Sequence, residues 1–371
     1  MNLNAIGIIF SNMHDEELQE ITNNRTMGAL PFGGKYRLID FPLSNMRNAS
    51  MASVGIVAKS NYQSLMEHLG SGKLWDLDRK REGLFLFPPF SRTSSGIYQN
   101  KIEALEGIKN YIQMSRYDYV ILSDCDTICN LDLEEPLSFH ITNKADITVM
   151  VCRLKEGEER IQETVYGISE KGIVQDIRLA QKAVASDCIG TNIWITGKEF
   201  LLNMIQEAAA YSHSDIEKDI FQKNLGRYKL AAWEYKGYLW KINSLCDYFK
   251  ANMDILQPRA RHELFYSYGP VYTKMTDEIP ARYGNSAYVS HSLIADGCII
   301  EGQVENCILF RGVTIGRGSV VKNSILMNNT IIGENAILNY IITDKQVHLS
   351  EGRTLVGCLE QPVYVRKGSR I

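Results

Sequence analysis

Short apolar runs alternate with longer helical patterns over residues 1–256. Three runs have the character of buried strands, at residues 5–10, 119–122 and 146–151. Before the second run, residues 98–114 carry apolar side chains at helical spacing. This alternation predicts a Rossmann-like α/β domain, with a mixed, mostly parallel sheet covered by helices on both faces.

The loops after two of these strands are rich in polar residues. Ligands bind open α/β sheets beyond the carboxyl ends of the strands. Residues 11–34 and 123–132 follow strands in this way. We therefore expect these two segments to lie together at the mouth of a nucleotide-sized site.

A different pattern begins after residue 256. Residues 257–285 contain three prolines and no steady periodicity, which predicts a linker. Beyond them aliphatic residues recur six positions apart, at Ile315 and Val321 and again at Ile325, Ile331 and Ile337. Hexapeptide repeats of this kind predict a left-handed parallel β-helix over residues 286–371, with these aliphatic side chains in its interior.

Composition narrows the class of protein. The net charge of -3 and the pI of about 6.2 give no basic field that would attract nucleic acid. No apolar run is long enough to span a membrane, and the N-terminus lacks the features of a signal peptide. The eight cysteines form no CxxC pair. These observations indicate a cytoplasmic protein with reduced thiols and no partner among nucleic acids or membranes.

One segment combines glycines with fixed positive charge. Arg25, Lys35 and Arg37 flank a Gly-Gly turn soon after the first strand. Backbone amides in such a turn, together with nearby cations, suit a phosphate-bearing ligand. The alternative is a surface loop whose charges are solvated.

The same segment carries a family resemblance. Residues 31–45, PFGGKYRLIDFPLSN, resemble the signature of the bacterial glucose-1-phosphate adenylyltransferases, or ADP-glucose pyrophosphorylases. The resemblance continues through residues 98–100, 237–238 and 251–256, and the β-helix completes the same order of domains. It implies a chain related to enzymes that convert ATP and glucose 1-phosphate into ADP-glucose and pyrophosphate.

The ATP side departs from that family. In place of its glycine-rich loop, residues 11–18 contain no glycine and three carboxylates. The acidic side chains would repel polyphosphate. The phosphate-binding lysine of the next motif is replaced by Met27, although Arg25 is retained. The stretch that lines adenine in the family keeps Thr93, Tyr98 and Gln99, so these residues are remnants of a nucleotide site.

The metal site also departs from the family. One metal-binding aspartate matches Asp126, with Asp124 as the alternative, and the second is replaced by Lys241. Two unit charges about 4 Å apart interact by about 4 kcal/mol at an effective dielectric of 20. We therefore expect no metal and no tightly bound cofactor in this chain, and Lys241 is a candidate to pair with Asp126. Mg²⁺ would be used by a catalytic partner.

The sugar-phosphate side of the family is represented by two candidate lysines. Lys182 lies near the position of the lysine that meets glucose 1-phosphate, and Lys218 lies in a segment similar to a second motif. The seven histidines show no metal-ligand spacing and are interpreted as surface or structural residues. Neither histidine of the β-helix has the sequence context of an acyltransferase.

This pattern of loss resembles the GlgD-type, or regulatory, subunits of the family. Such a subunit assembles with a catalytic sister chain into a mixed tetramer and adjusts its activity, and we also expect self-association when the chain is alone. Lys35 and Arg37 lie where family members bind activating sugar phosphates, so they are effector or interface candidates; the alternative is that they are retained for structural reasons alone. Two alternatives remain: a slow but self-sufficient enzyme using Asp126, Lys182 and Lys218, and a structural assembly scaffold.

Overall fold

The computed structural model of the chain describes residues 3–89, 98–157 and 159–371. The strands of the N-terminal domain are β1 Ala5–Phe10, β2 Pro31–Phe32, β3 Tyr36–Arg37, β4 Ser53–Val57, β5 Gly83–Phe87, β6 Tyr119–Asp124, β7 Thr127–Cys129, β8 Ile147–Arg153, β9 Arg160–Ile168, β10 Val174–Ala183, β11 Cys188–Gly197, β12 Leu230–Glu234 and β13 Leu239–Lys241. Its helices are α1 Gln19–Thr22, α2 Asp40–Asn48, α3 Gln63–Leu69, α4 Lys101–Gly107, α5 Lys109–Met114, α6 Glu134–Asn143, α7 Lys198–Ala210, α8 Leu245–Asp254 and α9 Pro258–Tyr266.

Nine of these strands form one mixed sheet. Its parallel part has the order β6-β1-β4-β5, and β11 joins β6 in the antiparallel sense. Strand β8 pairs with both β11 and β12, and the β9–β10 hairpin forms one edge. The predicted α/β domain with a mixed sheet is confirmed.

The neighbouring strands β1 and β6 position the candidate site. They run parallel with Phe10 opposite Asp124, so the loops that follow them leave the sheet at the same edge. The backbone amide of Gly28 donates to the carbonyl of Ser11 at 2.8 Å, which holds the first loop against the sheet. Residues 11–34 and 123–132 therefore meet as the strand order predicts.

The C-terminal domain consists of three sheets of five parallel strands, as expected for a β-helix of hexapeptide repeats. Its strands are β14 Arg282–Tyr283, β15 Tyr288–Ser290, β16 Leu293–Ile294, β17 Ile299–Ile300, β18 Gln303–Glu305, β19 Ile308–Leu309, β20 Thr314–Ile315, β21 Val320–Lys322, β22 Ile325–Leu326, β23 Ile331–Ile332, β24 Ile337–Asn339, β25 Ile341–Thr343, β26 His348–Leu349, β27 Thr354–Val356 and β28 Val363–Val365. Successive coils approach closely at Gly316, where a Cβ atom would lie 2.7 Å from the backbone of Gly333.

The predicted interior of the β-helix is correct for Ile315 and Val321 but wrong for Ile325, Ile331 and Ile337. Ile325 is buried against the N-terminal domain, and its neighbour Leu326 lies in the interior instead. Ile331 and Ile337 are 43% and 46% exposed, whereas their neighbours Ile332 and Leu338 are buried. Adjacent residues of a strand point to opposite faces, so an error of one position in the repeat moves a side chain from the interior to the surface.

The third sheet of the β-helix packs on the N-terminal domain. Ile308, Ile325 and Ile342 are buried there in one core with residues of α8 and α9. Helix α9 lies within the segment predicted to be a linker, and its Leu264 and Phe265 belong to the same core. The segment predicted to be a linker is thus partly a packed helix. Its apolar side chains are buried where the β-helix contacts the N-terminal domain. Among the described residues no helix has the length and apolar character needed to cross a membrane.

Candidate functional site

The loop after β1 is folded into a compact helical turn. Residues Asp15–Leu18 form a 3-10 helix that leads into α1. One carboxylate oxygen of Asp15 accepts a hydrogen bond from the backbone amide of Met27 at 2.8 Å, and Met27 itself is buried. Burial raises the pKa of Asp15 to about 7, although the Met27 amide opposes that shift. The backbone amide of Met27 is thus occupied by the chain's own acid.

The residue before this turn points back to the ends of the strands. His14 Nε2 lies 2.7 Å from Asp124 Oδ2 and 3.7 Å from Asp126 Oδ2. Burial alone would lower the pKa of His14, but the charge of Asp126 and the hydrogen bond to Asp124 raise it to about 10. At neutral pH His14 is therefore an imidazolium that faces both carboxylates.

A second cation reaches the same carboxylates from α4. Lys101 Nζ lies 2.6 Å from Asp124 Oδ2 and 4.7 Å from the centre of the Trp194 ring. Burial opposes the ionisation of Asp124, but Lys101 and His14 hold its pKa below the ordinary value. We call His14, Lys101, Asp124 and Asp126 the aspartate cluster. Its two carboxylates and two cations sum to zero charge when all four are ionised.

Asp126 is the more deeply enclosed of the two carboxylates. It is fully buried and accepts a hydrogen bond from Asn192 Nδ2 at 2.6 Å. Burial raises its pKa, against the opposing charge of His14. Both aspartates therefore lie close to His14. The sequence left open whether Asp124 or Asp126 matches the family's metal-binding aspartate, and in the structure both carboxylates lie at the same site.

Lys241 does not form the pair that the sequence suggested. Its ammonium lies 2.6 Å from Glu163 Oε2 and donates to the carbonyl of Gly190 at 3.1 Å. Asn243 Nδ2 donates to the other Glu163 oxygen at 2.8 Å. Burial opposes the charge of Lys241, but Glu163 and then Asp126 raise its pKa. The expected partner, Asp126, makes no direct contact with Lys241 and acts on its pKa only by longer-range electrostatic attraction. The direct contact is with Glu163 of β9.

These contacts determine whether a Mg²⁺ ion fits. Mg²⁺ favours carboxylate oxygens, substrate phosphates and water in octahedral geometry. Here an ammonium stands at the second carboxylate position, and the remaining aspartates already hold an imidazolium and an ammonium. The residues present do not fit the magnesium site of the family.

The two candidate sugar-phosphate lysines lie at the surface. Lys182 is paired with Glu159 at 2.7 Å, and both side chains are 58% exposed. Lys218 is exposed in the short π-helical turn Ile216–Phe221, where its backbone amide donates to Asp215. The acid next to Lys218, Glu217, is half-buried and accepts hydrogen bonds from Tyr166 at 2.8 Å and from Thr164. In this turn Glu217, and not Lys218, is thus the charged side chain that contacts the sheet.

The residues that match the family's nucleotide site are also buried or make contacts within the chain. Arg25 is buried, and its Nη2 atom donates to both carboxylate oxygens of Asp344 in the β-helix, at 2.6 and 2.7 Å. Tyr98 is buried, and the backbone amide of Gln99 donates to Glu103 at 2.8 Å. Thr93 lies outside the described residues.

Lys35 and Arg37 belong to a separate cavity at the junction of the two domains. This cationic pocket of about 290 Å³ is lined by side chains of both domains, among them Lys35, Arg37, His68, Lys274, Arg311 and Lys345. No acidic residue is among the described residues that line it. Arg311 Nε is buried there without a hydrogen-bond partner in the described part of the chain.

The basic groups of the cationic pocket also repel one another. Burial lowers the pKa of Lys345 to about 8, and the charges of Arg37 and Arg25 act in the same direction. Burial likewise lowers the pKa of Arg37 to about 10. Fixed cations with an unsatisfied donor and no carboxylate make a site for an anion.

Sequence reasoning missed His14 and Lys101. His14 was interpreted as a surface or structural histidine because no second histidine lies at metal-ligand spacing. Lys101 directly follows the retained residues 98–100, but nothing in the sequence indicates that α4 directs its side chain to Asp124. The signal that could have identified them is the presence of His14 and Lys101 in a chain in which Lys241 replaces one of the family's metal-binding aspartates.

Comparisons with known proteins agree with this architecture. A family model described as nucleotidyl transferase matches residues 7–258, and one described as GlmU-like C-terminal hexapeptide matches residues 277–361. The chain is 35% identical to the glycogen biosynthesis protein GlgD of Bacillus subtilis (strain 168), over 99% of this chain and 97% of the relative.

Two relatives from Geobacillus stearothermophilus extend the comparison. Its glycogen biosynthesis protein GlgD is 36% identical over 100% of this chain and 98% of that protein. Its glucose-1-phosphate adenylyltransferase is 33% identical over 87% of this chain and 84% of that protein. The similarity thus extends across both domains.

Proposed function

Because the chain belongs to the family of GlgD and the glucose-1-phosphate adenylyltransferases, we propose that it serves glycogen biosynthesis as a regulatory subunit. In this proposal the chain is non-catalytic or weakly catalytic. It assembles with a catalytic glucose-1-phosphate adenylyltransferase subunit into a mixed tetramer. Mg²⁺ is used by that partner, and this chain holds no cofactor tightly.

One observation carries the non-catalytic part of the proposal. The aspartates at the carboxyl end of β6 are bound by His14 and Lys101, at 2.7 and 2.6 Å from Asp124. Phosphoryl-transfer sites depend on metal ions that neutralise phosphate charge. A metal–ATP complex would have to displace these internal cations and would also meet Asp15, Glu16 and Glu17 in the loop above.

The sugar side supports the same conclusion. Catalysis by positioning requires the reacting groups to be held in a fixed geometry. Lys182 is instead paired with an exposed glutamate, and two further acids, the buried Glu163 and the half-buried Glu217, lie near Lys241. Negative charge at these positions disfavours a sugar phosphate, which argues against the self-sufficient enzyme that would use Asp126, Lys182 and Lys218.

The regulatory part of the proposal rests on the cationic pocket. Lys35 and Arg37 lie beside Arg311, whose buried Nε has no partner among the described residues. A sugar phosphate would supply acceptor oxygens for these donors. Because the pocket is formed by both domains, an anion bound there would act on their junction. A scaffold that only assembles would have no use for this unsatisfied donor.

The test is synthesis of ADP-glucose from ATP and glucose 1-phosphate. We expect no significant activity from the chain alone, and a changed rate or substrate affinity when it is mixed with the catalytic subunit of the same organism. Sugar phosphates should change the activity of the mixture, and the Arg311→Met variant should assemble normally but lose that response. Robust Mg²⁺-dependent turnover by the chain alone would refute the proposal, and an unresponsive mixture would leave only the scaffold.

A further inference from the structure

The eight cysteines of the chain differ in their access to solvent. Five are buried, and burial raises the pKa of each of these thiols, which are Cys125, Cys129, Cys188, Cys298 and Cys307. Such thiols react poorly, because the thiolate is the nucleophilic form. Cys358 is exposed, and Cys152 and Cys246 are partly exposed. Oxidants dissolved in the solvent therefore reach these last three thiols most easily.

Two of the accessible thiols lie on facing segments of the two domains. Cys246 is the second residue of α8 in the N-terminal domain, and Cys358 lies in the turn that follows β27 of the β-helix. The thiol of Cys246 donates to the carbonyl oxygen of Leu359, the residue directly after Cys358, at 3.6 Å. This contact joins residues 113 positions apart in the chain, so tertiary folding brings the two cysteines together.

Backbone dimensions limit the distance between the two cysteines. Consecutive Cα atoms are about 3.8 Å apart, and a carbonyl oxygen lies about 2.4 Å from the Cα atom of its own residue. The Cα atom of Cys358 is therefore within roughly 6 Å of the Leu359 oxygen that the Cys246 thiol contacts. A disulfide requires Cα atoms about 4.4–6.8 Å apart. Cys358 can approach Cys246 by a local movement of its turn, without any movement of one domain relative to the other.

The turn that carries Cys358 is only weakly held. Cys358 and Gln361 exchange two backbone hydrogen bonds, of 3.3 and 3.2 Å, and residues 358–361 are all exposed. The thiol of Cys358 lies 4.0 Å from the carbonyl oxygen of Gln361, which is a weak contact. Segments with exposed hydrogen bonds and few buried apolar contacts open at low cost in free energy. Little packing therefore opposes a shift of Cys358 toward α8.

We propose that Cys246 and Cys358 form a reversible disulfide, which joins α8 to the β-helix when a small-molecule disulfide oxidises the chain. The thiolate of the exposed Cys358 attacks one sulfur of the oxidant, breaks its S–S bond and releases one small thiolate. The thiolate of Cys246 then attacks the Cys358 sulfur and releases the second small thiolate. The two protons lost by the protein thiols are taken up by the two released thiolates. Two protein thiols are thus oxidised and one small disulfide is reduced.

The proposed bridge spans the junction between the two domains. Residues of α8 and of the third sheet of the β-helix share one apolar core there, and the ion pair of Arg25 with Asp344 also joins the domains. A disulfide adds a covalent link to these contacts. Because thiols stay reduced in a reducing compartment, the link forms only when oxidised small thiols accumulate. The chain thereby carries a record of oxidation at its domain junction.

The test is mass spectrometry of the folded, full-length chain after exposure to glutathione disulfide. We expect the mass of the intact chain to fall by two hydrogen atoms. After alkylation of the remaining thiols and digestion, the peptide that contains Cys246 should be joined to the peptide that contains Cys358. Dithiothreitol should restore both thiols, because the bridge forms by a reversible exchange.

Three variants separate the steps of the exchange. Cys246→Ser should stop at a mixed disulfide between Cys358 and glutathione, because the thiol that resolves it is missing. Cys358→Ser should form no bridge. The matched control is Cys152→Ser, which alters the third accessible cysteine and should leave the bridge unchanged.

Several results would overturn the proposal. One is a wild-type chain that does not react, or that keeps glutathione on Cys358 without forming the bridge. Another is a disulfide between two chains, or one that involves Cys152, since neither would link the two domains of one chain through α8. The measurements do not depend on ADP-glucose synthesis, so this inference and the proposed function fail separately.

Discussion

Two charged regions of this chain differ in whether their cations contact carboxylates. In the aspartate cluster, His14 and Lys101 are bound to Asp124 within hydrogen-bond distance. In the cationic pocket, the buried Nε of Arg311 has no hydrogen-bond partner in the described part of the chain, and Lys345 has a lowered pKa beside other cations. In the first region the chain's own cations neutralise Asp124, whereas no carboxylate is among the described residues that line the second. The contrast shows that cations of one chain can differ in whether a carboxylate lies within direct contact.

The neutralised region extends to a buried ion pair, which gives the largest expected effect. Lys241→Met removes the partner of Glu163, a side chain with no exposed surface. Leaving that charge buried and unpaired should lower the free energy of unfolding by about 3–5 kcal/mol. Urea unfolding at neutral pH measures the loss.

The matched control is the same substitution at an exposed pair. Lys182→Met breaks the contact with Glu159, whose side chain is 58% exposed, as is that of Lys182. Its effect should stay within about 1 kcal/mol, because solvent screens such pairs. Equal losses in the two variants would show that the pair in the former metal site is not structurally distinct.

The fold could be predicted because local sequence patterns determine most of it. Apolar runs predicted the mixed α/β sheet, and hexapeptide repeats predicted the parallel β-helix. The interior of the later coils was misassigned at Ile325, Ile331 and Ile337, since adjacent positions in the repeat are both aliphatic. Local patterns therefore determined the architecture but not every side-chain direction.

The ion pairs of the candidate site could not be predicted in the same way. The partner of Lys241 is Glu163, on a strand distant in sequence, and Arg25 pairs with Asp344 in the other domain. Each choice depends on which of several carboxylates the tertiary fold brings within about 3 Å, a distance that decides a buried pair. The sequence predicted an acidic partner for Lys241 but named Asp126 in place of Glu163, and it predicted no partner within the chain for Arg25.

A pH titration tests the neutralised region at His14. Its pKa is about 10 in the folded chain and 6.5 in the absence of its neighbours. The stabilisation from the charged imidazole is therefore fully present below pH 6.5 and is lost as the pH rises through 10. Asp15, with its pKa raised to about 7, likewise favours the folded state less as the pH rises from 3.8 to 7.

The expected result is an unfolding free energy that falls by a few kcal/mol, to order of magnitude, between pH 6.5 and 10. Urea unfolding across this range measures the slope. His14→Gln removes the titrating group and should flatten the curve above pH 7. A wild-type curve that rises with pH, or an equally steep curve in the variant, would contradict a charged His14 at the carboxylates.

The cationic pocket gives the smallest expected effect. Its test measures ligand binding instead of stability, because no carboxylate is among the described residues that line the pocket. An anion binds best when Lys345 is protonated, and the pKa of that lysine is about 8. Affinity for glucose 1-phosphate, measured by calorimetry, should therefore decrease as the pH rises from 7 to 9. Lys345→Met should weaken binding at pH 7 by roughly tenfold, a change of about 1.4 kcal/mol, and should reduce the dependence on pH. Lys322→Met, which alters a lysine paired with Glu305 elsewhere on the β-helix, should change neither property. If the affinity were independent of pH and unaffected by Lys345→Met, the cationic pocket would not be a ligand site. The two regions would then differ only in how deeply their charged side chains are buried.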